Sequence, residues 1–495
     1  MTIRQSLAIL LLLTSTVAPA APPNAAALAD IDKMFADWRV AAHVPGLVYG
    51  VVADGKLVHV RGLGVQSLET KAPVTPDTLF RIASMSKAFT ALAVLKLRDE
   101  GKLSLDAPAE TYVPELRGWK YPTSDSPKIT VRNLLTHTAG FVEDNPWGDC
   151  QQVLTEPEFT VMLKAGVPFA RASGLEMEYS NLGYAILGRI VSNVSGTRYQ
   201  DTIVRNLMRP LGMTSTTFDI FASPTARRAV GYRWQDNRWL PEPDMADGAF
   251  GAMGGVETSA NDYARWVAFL LSAWPARDEP DRGPVRRGTV REIVTGANFV
   301  SGSMRNGAVG GTPCRQAQAY AMGWNVIDDC DLGTVVTHGG GYPGYGSNVL
   351  LLPDKGLGIF VFTSKTYGGA SLPNFRAALA LAKSGALQGR PLATSPGLAT
   401  AYDAARAVWR SGDITAAPLA NNVLMDRDPA GWRKSIDGVK AEVGPCPATE
   451  PMIPTSAMEG TFRWTCEHGR VTGRVQRAPT PAVTLQALEF AVDKP

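Results

Sequence analysis

The sequence of 495 residues lacks several features that mark particular classes of protein. It has no large excess of charge, since 49 lysines and arginines stand against 46 aspartates and glutamates and give a formal net charge of +3. Such a small, dispersed charge disfavours nucleic-acid binding. No stretch is apolar over the roughly 20 residues needed to cross a bilayer. Neither a nucleic acid nor a membrane span is therefore expected.

Cysteine is also scarce, with five residues in the chain. Cys314 with Cys330, and Cys446 with Cys466, each bracket a short segment, so the spacing favours these two disulfides and leaves Cys150 over. Buried free cysteines are the open alternative. The Cys-Glu-His run that begins at Cys466 has no second pair of ligands at metal spacing, which disfavours zinc. Neither a metal nor a cofactor is expected.

The first twenty residues have the pattern of an export signal. Arg4 supplies a positive charge, residues 7–13 form a short apolar run, and Ala18 and Ala20 have the A-x-A spacing of a cleavage site. Seven apolar residues are too few for a membrane anchor. Cleavage after Ala20 would place the mature chain in the periplasm or outside the cell, where disulfides persist.

Strand patterns lie at both ends of the main part of the sequence, with helical patterns between them. An Asp-Gly turn at residues 54–55 joins two β-rich runs and indicates a hairpin. Strand patterns return from Trp324 to about Ser364. Between Leu105 and about Phe250, helical patterns alternate with loops rich in proline and glycine. We therefore predict an α/β architecture of the α+β kind, with one sheet completed by distant parts of the chain and an inserted helical subdomain.

Composition also suggests the domain boundaries. Residues 1–20 form the expected signal, residues 21–387 the main domain, and residues 388–396 a linker rich in proline and glycine. Residues 397–495 form a small appended domain in which we find no catalytic constellation.

The most informative local feature is Ser84-Met85-Ser86-Lys87, at the start of a run to Glu100 that is apolar nearly all round and predicts a buried helix. Three residues apart on a helix means one face, so the side chains of Ser84 and Lys87 should project together. A lysine in a desolvated site loses its preference for the charged form and can accept the serine proton. Alone, S-x-x-K is a weak pattern, and the alternative is a cap serine followed by a surface lysine.

Three motifs in order resemble those of the serine β-lactamase and penicillin-binding-protein superfamily. The resemblance is strongest to the branch with class C β-lactamases, family VIII esterases, D-aminopeptidases and D,D-carboxypeptidases. Around the Ser84 motif the run reads LFRIASMSKAFTALAVLKLRDEGKLSLDAP; Tyr179-Ser180-Asn181 matches Y-x-N, and His338-Gly339-Gly340 falls where the family has K-T-G or H-x-G. The segments LLTHTAG and YAMGW also resemble recurring parts of that branch.

The resemblance implies a fold with an antiparallel sheet flanked by helices, and it implies roles for individual residues. Ser84 is the expected nucleophile, and Lys87 and Tyr179 share the proton transfers, with the phenol's pKa lowered by the lysine charge. Asn181, His338, Gly339 and Gly340 are expected to position the lysine or the substrate, and the backbone N–H groups of Ser84 and Gly341 to form the oxyanion hole.

His338 is a departure from the β-lactamase pattern, in which a lysine stands. A histidine is mostly uncharged at pH 7, so the grip on a substrate carboxylate is weakened and small esters, amides or D-amino-acid peptides are favoured as substrates. The alternative is a strand histidine that does not contact substrate. His137, in LLTHTAG, is expected to order its turn.

Two other functions fit the resemblance. One is a β-lactamase or D,D-carboxypeptidase with weak β-lactam turnover, and the other is a catalytically silent protein that binds cell wall or another ligand on the same fold. An α/β-hydrolase is disfavoured because no G-x-S-x-G lies between a strand and a helix.

Overall fold

The computed structural model describes residues 25–145, 147–305, 313–384, 390, 392–448 and 450–493. The expected signal, residues 1–20, lies outside this part of the chain, so export stays a prediction. The chain divides into two compact units, one within Met1–Ser272 and Arg282–Gln388, the other within Ala273–Asp281 and Gly389–Pro495. None of the described helices is long and apolar enough to cross a membrane.

The first unit is built on an eight-stranded sheet with the strand order β2-β1-β12-β11-β10-β9-β8-β7, in which all neighbours are antiparallel. Two further pairs, β3 with β6 and β4 with β5, lie outside it. The described strands of this unit are β1 (Gly46–Ala53), β2 (Lys56–Gly64), β3 (Phe80–Arg81), β4 (Tyr232–Gln235), β5 (Arg238–Pro241), β6 (Glu257–Thr258), β7 (Asn298–Arg305), β8 (Cys314–Tyr320), β9 (Asn325–Asp329), β10 (Gly333–Tyr342), β11 (Tyr345–Leu352) and β12 (Leu357–Thr363).

The helices of this unit precede, cover or interrupt the sheet. They are α1 (Ala25–Ala41), α2 (Lys87–Asp99), α3 (Val131–Leu135), α4 (Trp147–Cys150), α5 (Glu156–Ala165), α6 (Asn181–Ser195), α7 (Tyr199–Ile203), α8 (Gly251–Gly254), α9 (Ala260–Leu271), α10 (Arg287–Glu292) and α11 (Ser371–Lys383). The predicted antiparallel sheet flanked by helices is thus confirmed.

Turn residues and long-range pairing explain the sheet. The hairpin predicted at residues 54–55 is confirmed, and Asp54 and Gly55 both have positive φ, as a tight two-residue turn requires. β1 pairs with β12, so the sheet is completed by distant segments, as predicted. The hairpin β4–β5 is absent from the sequence prediction. Its turn is Asp236-Asn237, and both residues again have positive φ. Asp and Asn tolerate this conformation, but the nearby prolines favoured a loop prediction for the segment.

Helices cover both faces of the sheet. Successive strand residues point to opposite faces, and all eight residues of β1 are buried. On one face the ring of Phe35 in α1 stacks on Tyr49 of β1 with centroids 4.1 Å apart. On the other face Tyr263 of α9 packs against Phe360 of β12 at 5.3 Å. Burial from both sides is the reason that β1 is apolar throughout.

The second unit has its own core. Its helices and strands are α12 (Pro396–Ser411), α13 (Val423–Asp426), α14 (Pro429–Val443), β13 (Ile453–Pro454), β14 (Glu459–Thr465), β15 (Arg470–Arg477) and β16 (Leu485–Val492). The four strands form one antiparallel sheet in sequence order, on which Trp464 stacks with Phe462 at 4.3 Å.

Both disulfides favoured by spacing are confirmed. Cys314 is bonded to Cys330 in the first unit and Cys446 to Cys466 in the second, while Cys150 is free and exposed. The short segment Ala273–Asp281 groups with the second unit, although its sequence position had placed it inside the main domain.

Candidate active site

The turn that carries Ser84 is strained and tightly packed. A short 3₁₀ turn, Ala83–Ser86, leads into the buried helix α2, so the α-helix predicted from Ser84 begins three residues later, at Lys87. Ala83 has φ 48°, a left-handed conformation that costs a residue with a Cβ about 1–2 kcal/mol. On Gly340 of β10, a Cβ would lie 2.3 Å from the Ile82 carbonyl oxygen. Only glycine therefore allows β10 to approach the turn this closely.

Lys87 is fully buried, and its ammonium group has three partners. Nζ lies 3.1 Å from Ser84 Oγ, 2.8 Å from Asn181 Oδ1 and 2.8 Å from the Met253 carbonyl oxygen. The predicted proximity of Ser84 and Lys87 is thus confirmed. Burial lowers the pKa of Lys87 to about 7, against the opposing effect of the negative charges of Asp149 and Asp144.

The identity of these three partners decides what a neutral lysine can do. A neutral amine has two N–H groups and one lone pair. The Asn181 Oδ1 and the Met253 carbonyl can only accept hydrogen bonds, so they take the two N–H groups. The Ser84 hydroxyl alone among the three can donate. The lone pair is therefore directed at the serine proton.

Asn181 is held in place by a buried carboxylate that sequence reasoning missed. Asp144 Oδ1 accepts from the Asn181 N–H at 2.7 Å, and its Oδ2 accepts from the Leu182 N–H at 2.9 Å. Both groups belong to the first turn of α6, which begins after the cap residue Ser180. The Asn181 amide in turn donates to Asn145. Acidic residues favour helix N-termini, but no pattern in the sequence brings residue 144 to residue 181.

Tyr179 lies beside this group with its hydroxyl buried and, among the described residues, without a hydrogen-bond partner of good geometry. Lys87 Nζ is 4.9 Å from the centre of its ring. Burial raises the pKa of the Tyr179 phenol above its usual value, and the interaction with the Ser84 hydroxyl only partly opposes this. The prediction that lysine charge lowers this pKa is wrong, because desolvation dominates and the nearby Asp149 and Asp144 are negative.

His338 belongs to a hydrogen-bonded chain that runs His137, Tyr320, His338. His137 Nδ1 accepts from the Ser180 N–H at 3.2 Å, so its Nε2 carries the proton and donates to the Tyr320 oxygen at 3.1 Å. The Tyr320 hydroxyl then donates to His338 Nε2 at 3.2 Å, and His338 Nδ1 donates to the Gly339 carbonyl at 2.6 Å. Each histidine is therefore fixed in one neutral tautomer.

The pKa values of the two histidines agree with this direction of hydrogen-bond donation. Burial lowers the pKa of His338 to about 4, with a further contribution from the Lys87 charge, and burial also lowers that of His137 well below its usual value. Both ring nitrogens of His338 are occupied by protein groups. The third motif therefore offers a neutral strand edge, with Gly339 exposed, rather than a cation.

Replacing Tyr320 by phenylalanine should raise the pKa of His338, because the lost hydroxyl stabilises only the neutral ring. It should also lower the free energy of unfolding by about 1–3 kcal/mol, since two imidazole nitrogens lose their partner. Titration of the imidazole resonances by NMR and denaturant unfolding measure the two effects.

Tyr345→Phe is the matched control, because the Tyr345 hydroxyl donates to the Ala229 carbonyl and is not part of the hydrogen-bonded chain of His338. Tyr345→Phe should lower the free energy of unfolding by a similar amount and leave the pKa of His338 unchanged. An unchanged His338 pKa in Tyr320→Phe would contradict the assigned tautomers.

No resident metal site is supported by the described ligand groups. Cys314, Asp329 and Cys330 lie close together, but the two cysteines form a disulfide and offer no thiolate. Cys466 is likewise bonded to Cys446.

Comparison with known proteins finds a matching family model and similar sequences. A family model described as Beta-lactamase matches residues 27–383. Protein flp of Staphylococcus aureus strain N315 is 30% identical over 342 residues, which are 68% of this chain. The chain spans 62% of the length of that curated relative.

Solved structures share the fold. The octameric penicillin-binding protein homologue from Pyrococcus abyssi superposes with a TM-score of 0.60 at 21% identity, over 94% of this chain and 95% of that one. The D-alanine carboxypeptidase AmpC from Burkholderia cenocepacia superposes with a TM-score of 0.57 at 24% identity, over 73% of this chain and 100% of that one. At such identities the likeness concerns architecture.

Proposed function

The chain belongs to the beta-lactamase family, as its three motifs indicated, and on that premise we propose that it is a serine hydrolase whose acyl-enzyme forms on Ser84. One observation carries the proposal: Lys87 Nζ, whose pKa is lowered by burial to about 7, lies 3.1 Å from Ser84 Oγ, and its two other partners can only accept hydrogen bonds. Because a lysine can take the serine proton only in its neutral form, a lysine pKa near 7 suits this pair to acyl transfer near neutral pH.

In the proposed acylation step, Ser84 Oγ bonds to the carbonyl carbon of an ester or amide while its proton passes to Lys87 Nζ. The carbonyl oxygen becomes negative and is bound by the backbone N–H groups of Ser84 and Gly341, each contributing roughly 3–4 kcal/mol to the transition state.

The bond to the leaving group then breaks. The Tyr179 phenol, protonated because of its raised pKa, gives its proton to the departing alcohol or amine, and Lys87 returns a proton to the phenolate. Water repeats the sequence on the acyl-enzyme, releases the acid and restores Ser84. Asn181 keeps Lys87 in line throughout.

The third motif supports substrates whose binding does not depend on a fixed cation. His338 is neutral and tied to Tyr320 and to the Gly339 carbonyl, so β10 presents no fixed cation to a substrate carboxylate. Small esters, amides and D-amino-acid peptides are therefore the proposed substrates. Efficient β-lactam turnover is not expected.

The proposal is tested with an alkyl fluorophosphonate, which phosphonylates activated serines and releases fluoride. Intact mass should show one adduct per chain, and peptide mapping should place it on Ser84. Prior incubation with p-nitrophenyl butyrate should slow the reaction. A chain that remains unmodified, or is modified at another serine, would show that Ser84 is not an activated nucleophile and would favour the silent binding protein.

A further inference from the structure

A closed ring of contacts passes through Ser84. On one side the ring runs from Ser84 to Lys87 and then to Asn181 through the hydrogen bonds described above. Helix α4 packs directly on Asn181, since a Cβ added to Gly148 would lie 2.6 Å from the Asn181 Cβ. The next residue of α4 is Asp149, which is buried. This half of the ring ends on its carboxylate.

The other half begins at the nucleophile turn and reaches the same carboxylate. Gly340 of β10 lies against the turn, where an added Cβ would be 3.1 Å from the Ala83 Cβ. At Gly341 an added Cβ would be 2.3 Å from Cδ1 of Tyr367, so the Tyr367 ring covers this glycine. The Tyr367 hydroxyl donates to Asp149 Oδ2 at 2.6 Å. This hydrogen bond closes the ring.

The Tyr367–Asp149 bond is the link that is easiest to open. Ser84 is 9% exposed, and Lys87 and Asn181 are fully buried, whereas Tyr367 is 46% exposed. Tyr367 also has φ 48°, in the left-handed region that disfavours a bulky side chain. Its backbone is thus strained, and its side chain has solvent on one side. Opening this link breaks one hydrogen bond and the packing of the half-exposed Tyr367 side chain on Gly341.

We propose that Tyr367 is a specificity-determining residue that, held by Asp149, limits the size of the acyl group that reaches Ser84. The inference rests on the proposed function, because it concerns the substrates of that site. Substrates with short acyl groups fit within the closed ring. A longer acyl chain requires the Tyr367 hydroxyl to break its hydrogen bond with Asp149 and the Tyr367 side chain to move away from Gly341.

The test compares kcat/KM for p-nitrophenyl acetate and p-nitrophenyl hexanoate in variants of the link. Tyr367→Ala should raise the hexanoate-to-acetate ratio by about tenfold, and Tyr367→Phe, which keeps the ring but loses the hydroxyl, by about threefold. Asp149→Ala should match Tyr367→Phe, and the double variant Tyr367→Phe with Asp149→Ala should exceed neither, because both remove the same bond.

Tyr112→Phe is the control, since the Tyr112 hydroxyl accepts from the Ser104 N–H and has no part in the ring of contacts through Ser84. Loss of this hydroxyl should leave the hexanoate-to-acetate ratio unchanged. Fluorophosphonate labelling of Ser84 verifies that each variant is folded. An unchanged ratio in Tyr367→Phe and Tyr367→Ala that label normally would overturn the inference. A wild-type chain that neither labels nor hydrolyses either ester would instead overturn the proposed function.

Discussion

Ser84→Ala should lower kcat/KM for p-nitrophenyl butyrate by roughly 10³- to 10⁶-fold and abolish fluorophosphonate labelling. The reason is chemical, because the acyl-enzyme needs an oxygen on that side chain, and Ser84 Oγ is the hydroxyl oxygen that lies 3.1 Å from Lys87 Nζ. Any remaining activity would come from direct attack of water on a substrate whose carbonyl oxygen is bound in the oxyanion hole. Initial rates over a range of ester concentrations give the ratio.

A neighbouring serine supplies the control. Ser86 is buried two residues away and accepts a hydrogen bond from the Val256 N–H at 3.1 Å. Ser86→Ala leaves that N–H unpaired and should cost about 1–3 kcal/mol of unfolding free energy, yet keep both labelling and hydrolysis. If Ser86→Ala lost activity while Ser84→Ala retained it, the nucleophile would be misassigned.

Lys87→Met should lower kcat/KM by about 10³-fold, since methionine fills a similar volume but cannot accept the serine proton. Lys96→Met is the matched control. That lysine lies on the same helix, is partly exposed and is paired with Glu100 at 3.1 Å, so its loss should change kcat/KM by less than about twofold.

The pH profile of the wild type gives a second measure of Lys87. Only the neutral amine acts as a base, so kcat/KM should rise about tenfold per pH unit below a pKa of about 7 and level off above it. His338, with its pKa lowered to about 4, adds no limb in that range. Residual activity of Lys87→Met should lack this limb. A limb with the same midpoint in Lys87→Met would assign it to another group.

Local spacing predicted what local geometry controls. Ser84 and Lys87 meet because residues three apart on a helical turn share a face, and the first hairpin forms because Asp54-Gly55 tolerates positive φ. The sheet could be predicted because apolar strand patterns recur at both ends of one domain. These features depend on residues near each other in the sequence or on burial alone.

The rest of the site could not be read from the sequence because it depends on loops. Asp144, Asp149 and Tyr367 have no periodic pattern, and their contacts with α6 and β10 arise only when segments far apart in the chain fold together. The pKa of Tyr179 was misjudged for a related reason. Its direction follows from complete burial, which no neighbour in the sequence reveals.

The pairing of β1 with β12 also sets when activity can arise during folding. The Gly46 N–H donates to Ser364 Oγ at 3.0 Å across a separation of 318 residues. Long-range pairings of this kind carry a large loop-closure cost and form slowly. Because β10 and β11 lie on the far side of β12, the strand that supplies Gly340 and Gly341 reaches the Ser84 turn only as the sheet assembles. Hydrolysis should therefore be among the last properties that a refolding chain regains, well after its helices have formed.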